Sequence, residues 1–207
     1  MKKLVVASSN PGKLREIEAV LAPLGVEIVP QSRLGVADAD EPHATFLENA
    51  LAKARHASRA TRLPALADDS GICVHSLDGE PGVHSARFAA DAVGPADRGA
   101  LDARNNAKLI RLLADKGDRR AHYYCVIVLM RHAEDPEPVI AEGSWAGEIV
   151  ETPRGENGFG YDPHFFLSDL GKTAAELDPA QKNLISHRGK ALRRLIAKLK
   201  EGAAPWP

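Results

Sequence analysis

The chain has 207 residues, and its 27 lysines and arginines nearly balance its 28 acidic residues, which gives a formal net charge of -1. This length is enough for one domain with a sizeable core, and the charge balance provides no global field that would attract nucleic acid or an anionic membrane. The two cysteines, Cys73 and Cys125, argue against a disulfide framework and a zinc site. No apolar run approaches the roughly 20 residues of a bilayer span. We therefore expect a cytoplasmic, single-domain protein over residues 1–207, with a flexible tail at 203–207.

The first segment has the pattern of a strand, a polar loop and a helix. Residues 3–7 have the composition of a strand, with one lysine followed by four apolar residues that include two valines. Leucine and isoleucine recur at helical spacing over residues 14–24. Asn10 is a suitable N-cap, and Pro11 suits the first helical turn. A helix N-terminus can bind phosphate through its amide groups and dipole, and Lys13 adds a cation. An ordinary capped helix is the alternative. The candidate phosphate-binding residues are Ser8, Ser9, Asn10, Pro11, Gly12 and Lys13.

The next segment predicts a strand at 26–29 and a helix from Thr45 to about residue 60, with Glu48 completing a capping box. Lys53 lies on the polar face of this helix. Glu41 precedes the helix and has no evident structural duty, so it is a candidate metal-facing carboxylate. A solvated loop acid is the alternative.

The central stretch is an apolar run, residues 63–67, that is followed by Asp68, Asp69, Ser70 and Gly71. We predict a buried strand that ends at these acids and opens into a crevice, the usual ligand position in α/β sheets. Adjacent side chains on an extended segment point to opposite faces, so the two aspartates should have different roles. The glycine allows a sharp turn or a close backbone approach. A plain acidic turn is the alternative.

The second half predicts a helix over 95–116, a buried strand over 123–130 and a partner strand over about 139–150. Three glycines, two aromatic residues and an acid in the segment 155–163 suit a loop that stacks a ring, although a surface loop with an aromatic plug has the same composition. A short strand at 165–166, a helical turn at 173–177 and a last helix capped by Ser186 follow. Local hydrophobic pattern alone predicts these three elements.

Five motifs follow one another along the chain. They are Ser8-x-Asn10-x-x-Lys13, Thr45-Phe46-x-Glu48-Asn49-Ala50, Ala67-Asp68-Asp69-Ser70-Gly71, Gly158-Phe159-Gly160-Tyr161-Asp162-Pro163 and Ser186-His187-Arg188-Gly189. Together they resemble the signatures of the inosine triphosphate pyrophosphatase family, and the resemblance covers nearly the whole chain. It implies an α/β fold with an elongated mixed central sheet flanked by helices, two lobes around a nucleotide cleft, a homodimer and dependence on Mg²⁺.

The same resemblance implies hydrolysis of nonstandard purine triphosphates (dITP, ITP and XTP) to the monophosphate and pyrophosphate, by water attack that cleaves the bond between the α- and β-phosphates. Asp69 corresponds to the general base and a metal ligand, and Glu41 is its partner at the metal. Phosphoryl chemistry is mostly positioning and charge neutralisation, which suits Lys13, Lys53 and Lys182. The remaining substrate-binding residues are Ser70 for phosphate or ribose oxygens, and Phe159, Gly160, Tyr161, Asp162, His187 and Arg188 for the base.

Two other functions share these features. A nucleotide-sensing module would keep the cleft without turnover, although a pure binder would not need a base and metal-binding acids beside the phosphates. A related pyrophosphatase acting on modified pyrimidine nucleotides is the nearer alternative. Release of pyrophosphate from a panel of triphosphates discriminates among the three.

Overall fold

The computed structural model describes residues 2–90 and 97–202. Within them the chain forms a seven-stranded sheet in the order β2-β1-β3-β4-β5-β6-β7. The strands are β1 (Lys3–Val6), β2 (Glu27–Pro30), β3 (Ala65–Val74), β4 (Arg120–Met130), β5 (Val139–Ile149), β6 (Phe165–Leu167) and β7 (Lys172–Thr173). The α-helices are α1 (Pro11–Leu21), α2 (Phe46–Thr61), α3 (Arg98–Leu112), α4 (Pro179–Ile185) and α5 (His187–Lys200).

The sheet is mixed. Strand β1 pairs in parallel with β2 and with β3, whereas β6 pairs antiparallel with β5 and with β7. Parallel strands need a crossover connection, and α1 and α2 lie in the connections that follow β1 and β2. The predicted α/β fold with a mixed central sheet is therefore confirmed.

The described residues divide into two compact units, which we describe separately. The first comprises residues 2–69, 125–143 and 186–202, and the second comprises 70–90, 97–124 and 144–185. In the first unit, α1 and α5 pack with the strands around fully buried aliphatic side chains. These include Leu4, Val6, Ile17, Leu66, Ile127 and Leu192.

The core of the second unit is more aromatic. The rings of Tyr123, Trp145 and Phe165 lie within 6.4 Å of one another, measured between ring centroids. Leu109 of α3 and Ile72 of β3 belong to the same buried cluster. Gly147 of β5 allows this packing, since a Cβ there would lie 2.6 Å from the Phe165 ring.

Most predicted elements are confirmed, including the caps of α1, α2 and α5 by Asn10, Thr45 and Ser186. The predicted end of a strand at residue 67 is wrong, because β3 continues to Val74. Tertiary partners of the acids, described below, replace the turn that the local composition favours. The predicted helix over 95–116 is shorter at its C-terminus, where α3 ends at Leu112. Residue 95 and the predicted tail at 203–207 lie outside the described residues.

No helix in the described part of the chain is long and apolar enough to cross a membrane. The division into two units leaves the predicted single domain with two lobes around a cleft as a prediction.

Candidate active site

The two adjacent aspartates of β3 have different partners within the first unit. Asp68 is 1% exposed and accepts hydrogen bonds from the Arg188 guanidinium (Nε to Oδ2, 2.8 Å) and the Cys125 thiol (Sγ to Oδ2, 3.0 Å). The ammonium of Lys13 lies 2.6 Å from its Oδ1. Arg188 is also buried, and its Nη1 donates to the carboxylate of Glu16 on α1. Asp68 is therefore a structural anion that links α1, β3, β4 and α5.

Asp69 belongs to a separate and more accessible group. Its Oδ1 accepts a hydrogen bond of 2.7 Å from the ammonium of Lys53 on α2, and the same ammonium donates to Oε1 of Glu41 at 2.7 Å. The Oδ2 atom of Asp69 is buried and has no hydrogen-bond partner among the described residues. A buried carboxylate oxygen without a partner is costly, and a water molecule, a metal ion or a substrate proton could meet that need.

The surroundings shift the pKa values of the two aspartates in opposite directions. Burial favours the protonated form of Asp68, but Arg188 and Lys13 outweigh it and hold its pKa well below the ordinary value. Burial likewise raises the pKa of Asp69, and here Lys53 and Lys13 offset it incompletely. Asp69 is consequently the more basic carboxylate, which suits a proton acceptor. The prediction of different roles for the two aspartates is confirmed in their contacts.

Lys53 stays charged in this group. Burial favours its neutral amine, but the carboxylates of Asp69 and Glu41 outweigh that effect and raise its pKa. The Lys53 ammonium therefore forms charge-assisted hydrogen bonds to both carboxylates and holds Asp69 and Glu41 close together. Glu41 is half-buried, so it is not the fully solvated loop acid of the alternative interpretation.

The loop before α1 differs in detail from the predicted phosphate site. The Asn10 side chain caps the helix by accepting from the amides of Gly12 (2.9 Å) and Lys13 (3.3 Å), so these two donors are already occupied. Ser8 accepts from the Asn10 amide, and the exposed Ser9 hydroxyl donates to Asp38 at 2.5 Å. Pro11 is the first helical residue and has no amide hydrogen. The amides of Gly12 and Lys13 are thus committed to the helix cap, and phosphate binding by the Lys13 ammonium stays a prediction.

The donor set of the Asp69 group fits a hard divalent cation. Mg²⁺ is bound in proteins by one or two carboxylates, with water and substrate phosphates completing the octahedron. Asp69 and Glu41 supply two carboxylates, and the Oδ2 atom of Asp69 is the oxygen that lacks a partner. In the described ranges, no group of three or more His, Cys, Asp or Glu side chains could form an all-protein metal cage. The residues therefore suit a metal that is shared with a ligand.

The predicted aromatic loop lies in the second unit. The Asp162 carboxylate accepts from the Phe159 amide (2.9 Å), the Lys182 ammonium (2.5 Å) and the Tyr123 hydroxyl (3.2 Å). The same ammonium lies 4.8 Å from the centroid of the Phe159 ring, a cation–π contact. The loop is therefore an ordered aromatic and charged surface rather than a plain surface loop.

The other predicted residues fall as follows. Tyr161 is buried, and its hydroxyl donates to the carbonyl of Ser85, so this hydrogen bond anchors the loop in the second unit. Ser70 follows Asp69 in β3 and is half-buried. His187 is the buried first residue of α5. Arg188 was predicted to contact the base, whereas the structure gives its guanidinium the partners Asp68 and Glu16.

Sequence reasoning missed three members of these groups. Glu16 lies three residues after Lys13 on α1, a spacing that puts both on one helix face and could have indicated it. Tyr123 and Cys125 are inward residues of a nearly continuous apolar strand, where nothing local indicates a polar partner. Gly71 was predicted to allow a turn or a close approach, and the second is confirmed, because a Cβ there would lie 2.3 Å from the Gly82 carbonyl oxygen.

Comparison with known proteins agrees with the sequence motifs. The model of the Ham1 family matches residues 4–198. The chain belongs to the Ham1 family. It is 62% identical over 200 residues to a dITP/XTP pyrophosphatase of Ralstonia nicotianae, with 97% of this chain and 98% of the relative covered. It is 64% identical over 201 residues to the protein of the same name from Nitrosomonas europaea, covering 97% and 96%. The predicted family resemblance is thus confirmed.

Solved structures support the same assignment. A HAM1 protein from Coxiella burnetii matches with a TM-score of 0.86 and 46% identity, covering 98% of this chain and 100% of that one. The nucleoside-triphosphatase, or dITP/XTP pyrophosphatase, of Mycobacterium abscessus matches with a TM-score of 0.70 and 42% identity, covering 94% and 98%. The fold of the chain is therefore that of the Ham1 family.

Proposed function

We propose that this Ham1-family chain is a Mg²⁺-dependent pyrophosphatase that hydrolyses dITP, ITP and XTP to the nucleoside monophosphate and pyrophosphate. The observation that carries the proposal is the Asp69 group, in which a buried carboxylate oxygen without a partner lies beside a charged lysine and a second acid. The name dITP/XTP pyrophosphatase of relatives at 62% and 64% identity supports the choice of substrate. The role would be removal of nonstandard purines from the nucleotide pool.

In the proposed reaction, Asp69 accepts the proton of the water that attacks the α-phosphorus. The bond between the α-phosphorus and the bridging oxygen breaks, and pyrophosphate leaves. The raised pKa of Asp69 makes it a better base than an ordinary carboxylate. Lys13 and Lys53 bind phosphate oxygens and neutralise charge that develops on the leaving group. Mg²⁺ held by Asp69 and Glu41 would supply further charge neutralisation at the phosphates.

The charges of the first unit's ionic groups support the need for a divalent cation. Three basic and four acidic side chains, each in its charged form, leave these groups with a formal charge of -1. Such a cluster does not attract a triphosphate by itself, whereas a bound divalent cation reverses its sign. The side chains are Lys13, Lys53, Arg188, Glu16, Glu41, Asp68 and Asp69.

The loop of the second unit supports recognition of a purine. The Phe159 ring offers a stacking surface, and hypoxanthine and xanthine carry a carbonyl oxygen at the six position, where adenine has an amino group. A donor that pairs with this carbonyl is left unpaired against adenine, and such a site can reject the wrong base by as much as about 10⁴–10⁵-fold. Within the second unit, the buried Lys182 ammonium beside Phe159 is a candidate donor.

The decisive experiment measures both the products and the bond that breaks. The purified protein is incubated with ITP in ¹⁸O-labelled water with Mg²⁺, and the products are resolved by ³¹P NMR and mass spectrometry. We expect IMP that carries the label, together with unlabelled pyrophosphate. Orthophosphate and IDP, or label in the pyrophosphate, would contradict attack at the α-phosphorus.

Substrate choice and metal dependence need a panel. We expect dITP, ITP and XTP to be hydrolysed much faster than ATP, with weaker discrimination against GTP, which shares the six-position carbonyl. Turnover should stop with EDTA. Glu41→Gln should raise the Mg²⁺ concentration needed for half-maximal rate, while Asp40→Asn, a change of the adjacent exposed acid, should not. Equal rates on ATP and ITP, binding without turnover, or a preference for modified pyrimidine triphosphates would each reject the proposal.

A homodimer and a cytoplasmic location are further parts of the proposal, and both come from the family resemblance. Sedimentation of the purified chain tests the first, and cell fractionation tests the second.

A further inference from the structure

We propose that Asp102 and Asn106 of α3 are positioning residues that hold the Phe159 loop in the shape that recognises the purine base. This inference rests on the proposed function, because it assumes that the loop meets the base. It adds two residues that no sequence motif above contained.

The glycines that flank Phe159 do not by themselves fix the shape of the loop. Phe159 has a glycine on each side, and Gly158 and Gly160 both adopt left-handed backbone conformations, with φ of +78° and +64°. Glycine has the greatest conformational freedom of any residue, so its local backbone does not determine where the ring points. Phe159 and Gly160 also border a cavity of about 1060 Å³ within the second unit, so packing on that side does not confine them.

Helix α3 supplies the missing restraint. The amide of Gly160 donates to Oδ2 of Asp102 at 2.9 Å, and Nδ2 of Asn106 donates to the Gly160 carbonyl at 2.9 Å. The two side chains are four residues apart on α3, which places them on one face of the helix. Because they hold the amide and the carbonyl of one glycine, they fix the peptide planes on both of its sides.

The two side chains are themselves held in place. Asn106 is 9% exposed, and its Nδ2 also donates to the Asp102 carbonyl at 2.9 Å, so its amide group has a defined orientation. The Asp102 side chain is 14% exposed and lies 3.3 Å from Nε of Arg98, one turn earlier on α3. Helix α3 therefore presents two oriented side chains to a loop whose glycines give its backbone little restraint.

The opposite side of the loop has a separate anchor. Asp162 accepts from the Phe159 amide and from Lys182, the cation that lies over the Phe159 ring. Asp162 therefore fixes the position of the Phe159 ring relative to the Lys182 ammonium. The α3 pair, Asp102 and Asn106, fixes the backbone of Gly160, the residue that follows Phe159. Loss of the α3 pair should loosen base recognition without touching the phosphate-binding groups Lys13 and Lys53.

The test compares three changes in the full-length protein. Asp102→Glu keeps the charge and moves the carboxylate by one methylene, Asn106→Ala removes the donor, and Asp102→Asn keeps an acceptor oxygen for the Gly160 amide. For the first two we expect the KM for dITP to rise at least about tenfold with kcat nearly unchanged, since a hydrogen bond in a site is worth about that factor. As the KM for dITP rises, the ratio of kcat/KM for dITP to kcat/KM for dATP should fall. Asp102→Asn should retain most of the wild-type ratio.

Two controls separate positioning from a general structural effect. Inorganic tripolyphosphate has no base, so its inhibition constant in the presence of Mg²⁺ should be the same for wild type and variants. Leu112→Gln changes an exposed residue of the same helix that does not border the cavity, and it should leave the dITP to dATP ratio unchanged. Thermal unfolding of each variant shows which variants are folded. If Asn106→Ala does not fold, the positioning role is tested by comparing the dITP to dATP ratio of Asp102→Glu with that of Asp102→Asn.

The outcomes are distinct. A wild type that does not distinguish dITP from dATP overturns the proposed function. A selective wild type whose Asp102→Glu and Asn106→Ala variants are equally selective overturns the positioning role alone. Equal losses for dITP and tripolyphosphate also overturn it, because they indicate a general disturbance. A loss confined to base-containing ligands, recovered by Asp102→Asn, supports it.

Discussion

Two neighbouring residues of one strand, Asp68 and Asp69, acquire opposite properties from their partners. Asp68 faces a guanidinium and an ammonium at full burial, so the fold strongly favours its ionised form. Asp69 contacts the ammonium of Lys53, which it shares with Glu41. Burial outweighs the attraction of Lys53 and Lys13, so the pKa of Asp69 rises. The alternation of side chains along an extended strand is what permits this separation, because adjacent residues face different surroundings.

The first prediction concerns Asp69→Asn, which should abolish turnover while the protein stays folded. The amide cannot accept the proton of the attacking water and brings no full charge to Mg²⁺. Loss of a general base alone costs roughly 10²–10⁴-fold, and loss of a metal ligand adds to that. Steady-state pyrophosphate release from ITP measures the effect, with circular dichroism as the control for folding. Wild-type turnover by the folded variant would remove Asp69 from the mechanism.

The second prediction concerns Asp68→Asn, which should destabilise the fold by about 3 kcal/mol near neutral pH, because it leaves Lys13 and Arg188 with less compensation in a buried group. The pKa of Asp68 is lower in the folded than in the unfolded state. Its contribution is therefore complete above the unfolded value of about 4 and is lost as the pH falls through the folded value.

Urea unfolding of wild type and variant at about pH 7 and about pH 3 measures this effect. The difference in unfolding free energy should narrow at the lower pH. The exposed Asp40→Asn is the control. A difference that is constant or grows on acidification would show that Asp68 does not act through its charge.

Local pattern could not reveal the partners of Asp68. Arg188 is 120 residues from Asp68 and 172 from Glu16 in sequence, and helical or strand periodicity carries no information over such distances. The family motifs did bring Asp68, Lys13 and Arg188 to attention, but they assigned the arginine to the base. Which contact an arginine makes depends on the tertiary arrangement, and that is what the sequence lacks.

At the scale of elements, strand β3 shows how tertiary contacts override local propensity. Asp-Asp-Ser-Gly favours a turn, yet β3 passes through it and ends at Val74. The cations of Lys13 and Lys53 pair with Asp68 and with one oxygen of Asp69, respectively. The lack of a side chain at Gly71 allows the backbone near Gly82 to pack against the strand. Helix α4 is short, and the sequence analysis did not predict it. The pair Asp178-Pro179 was the available signal, because an aspartate before a proline is typical of a helix start. The Asp178 side chain does accept a hydrogen bond from the Gln181 amide.

The third prediction concerns the start of α1. Because the Asn10 side chain occupies the amides of Gly12 and Lys13, the Lys13 ammonium should provide most of this element's affinity for phosphate. Lys13→Ala should weaken binding of a slowly hydrolysed ITP analogue at least about tenfold, and binding of IMP much less. Isothermal titration with both ligands measures the difference, and the exposed Lys3→Ala is the control. Equal effects on both ligands would mean that Lys13 does not face the β- and γ-phosphates.

At the scale of the molecule, the mixed sheet was predictable from the family resemblance, whereas local patterns located strands and helices one at a time. The structure shows parallel pairing near the N-terminus and antiparallel pairing later in the chain. The α3 contacts to Gly160 were not predictable, since Asp102 and Asn106 are ordinary polar residues of a helix. Only the folded chain brings them to a loop more than fifty residues away.

The last prediction follows from the charge of the whole chain. Its formal net charge is -1, and the first unit's cluster of buried ion pairs is also close to neutral, so long-range attraction of a triphosphate is weak. Binding should then depend on short contacts to lysine and to a cation, which salt screens less than it screens distant charges. At saturating Mg²⁺, kcat/KM for dITP should change less than about tenfold between about 0.05 and about 0.5 M KCl. Initial rates at low dITP measure it, with the Mg²⁺ concentration held fixed as the control. A steep, continuous fall would mean that electrostatic steering brings the substrate to the site, which neither the net charge nor the paired lysines provide.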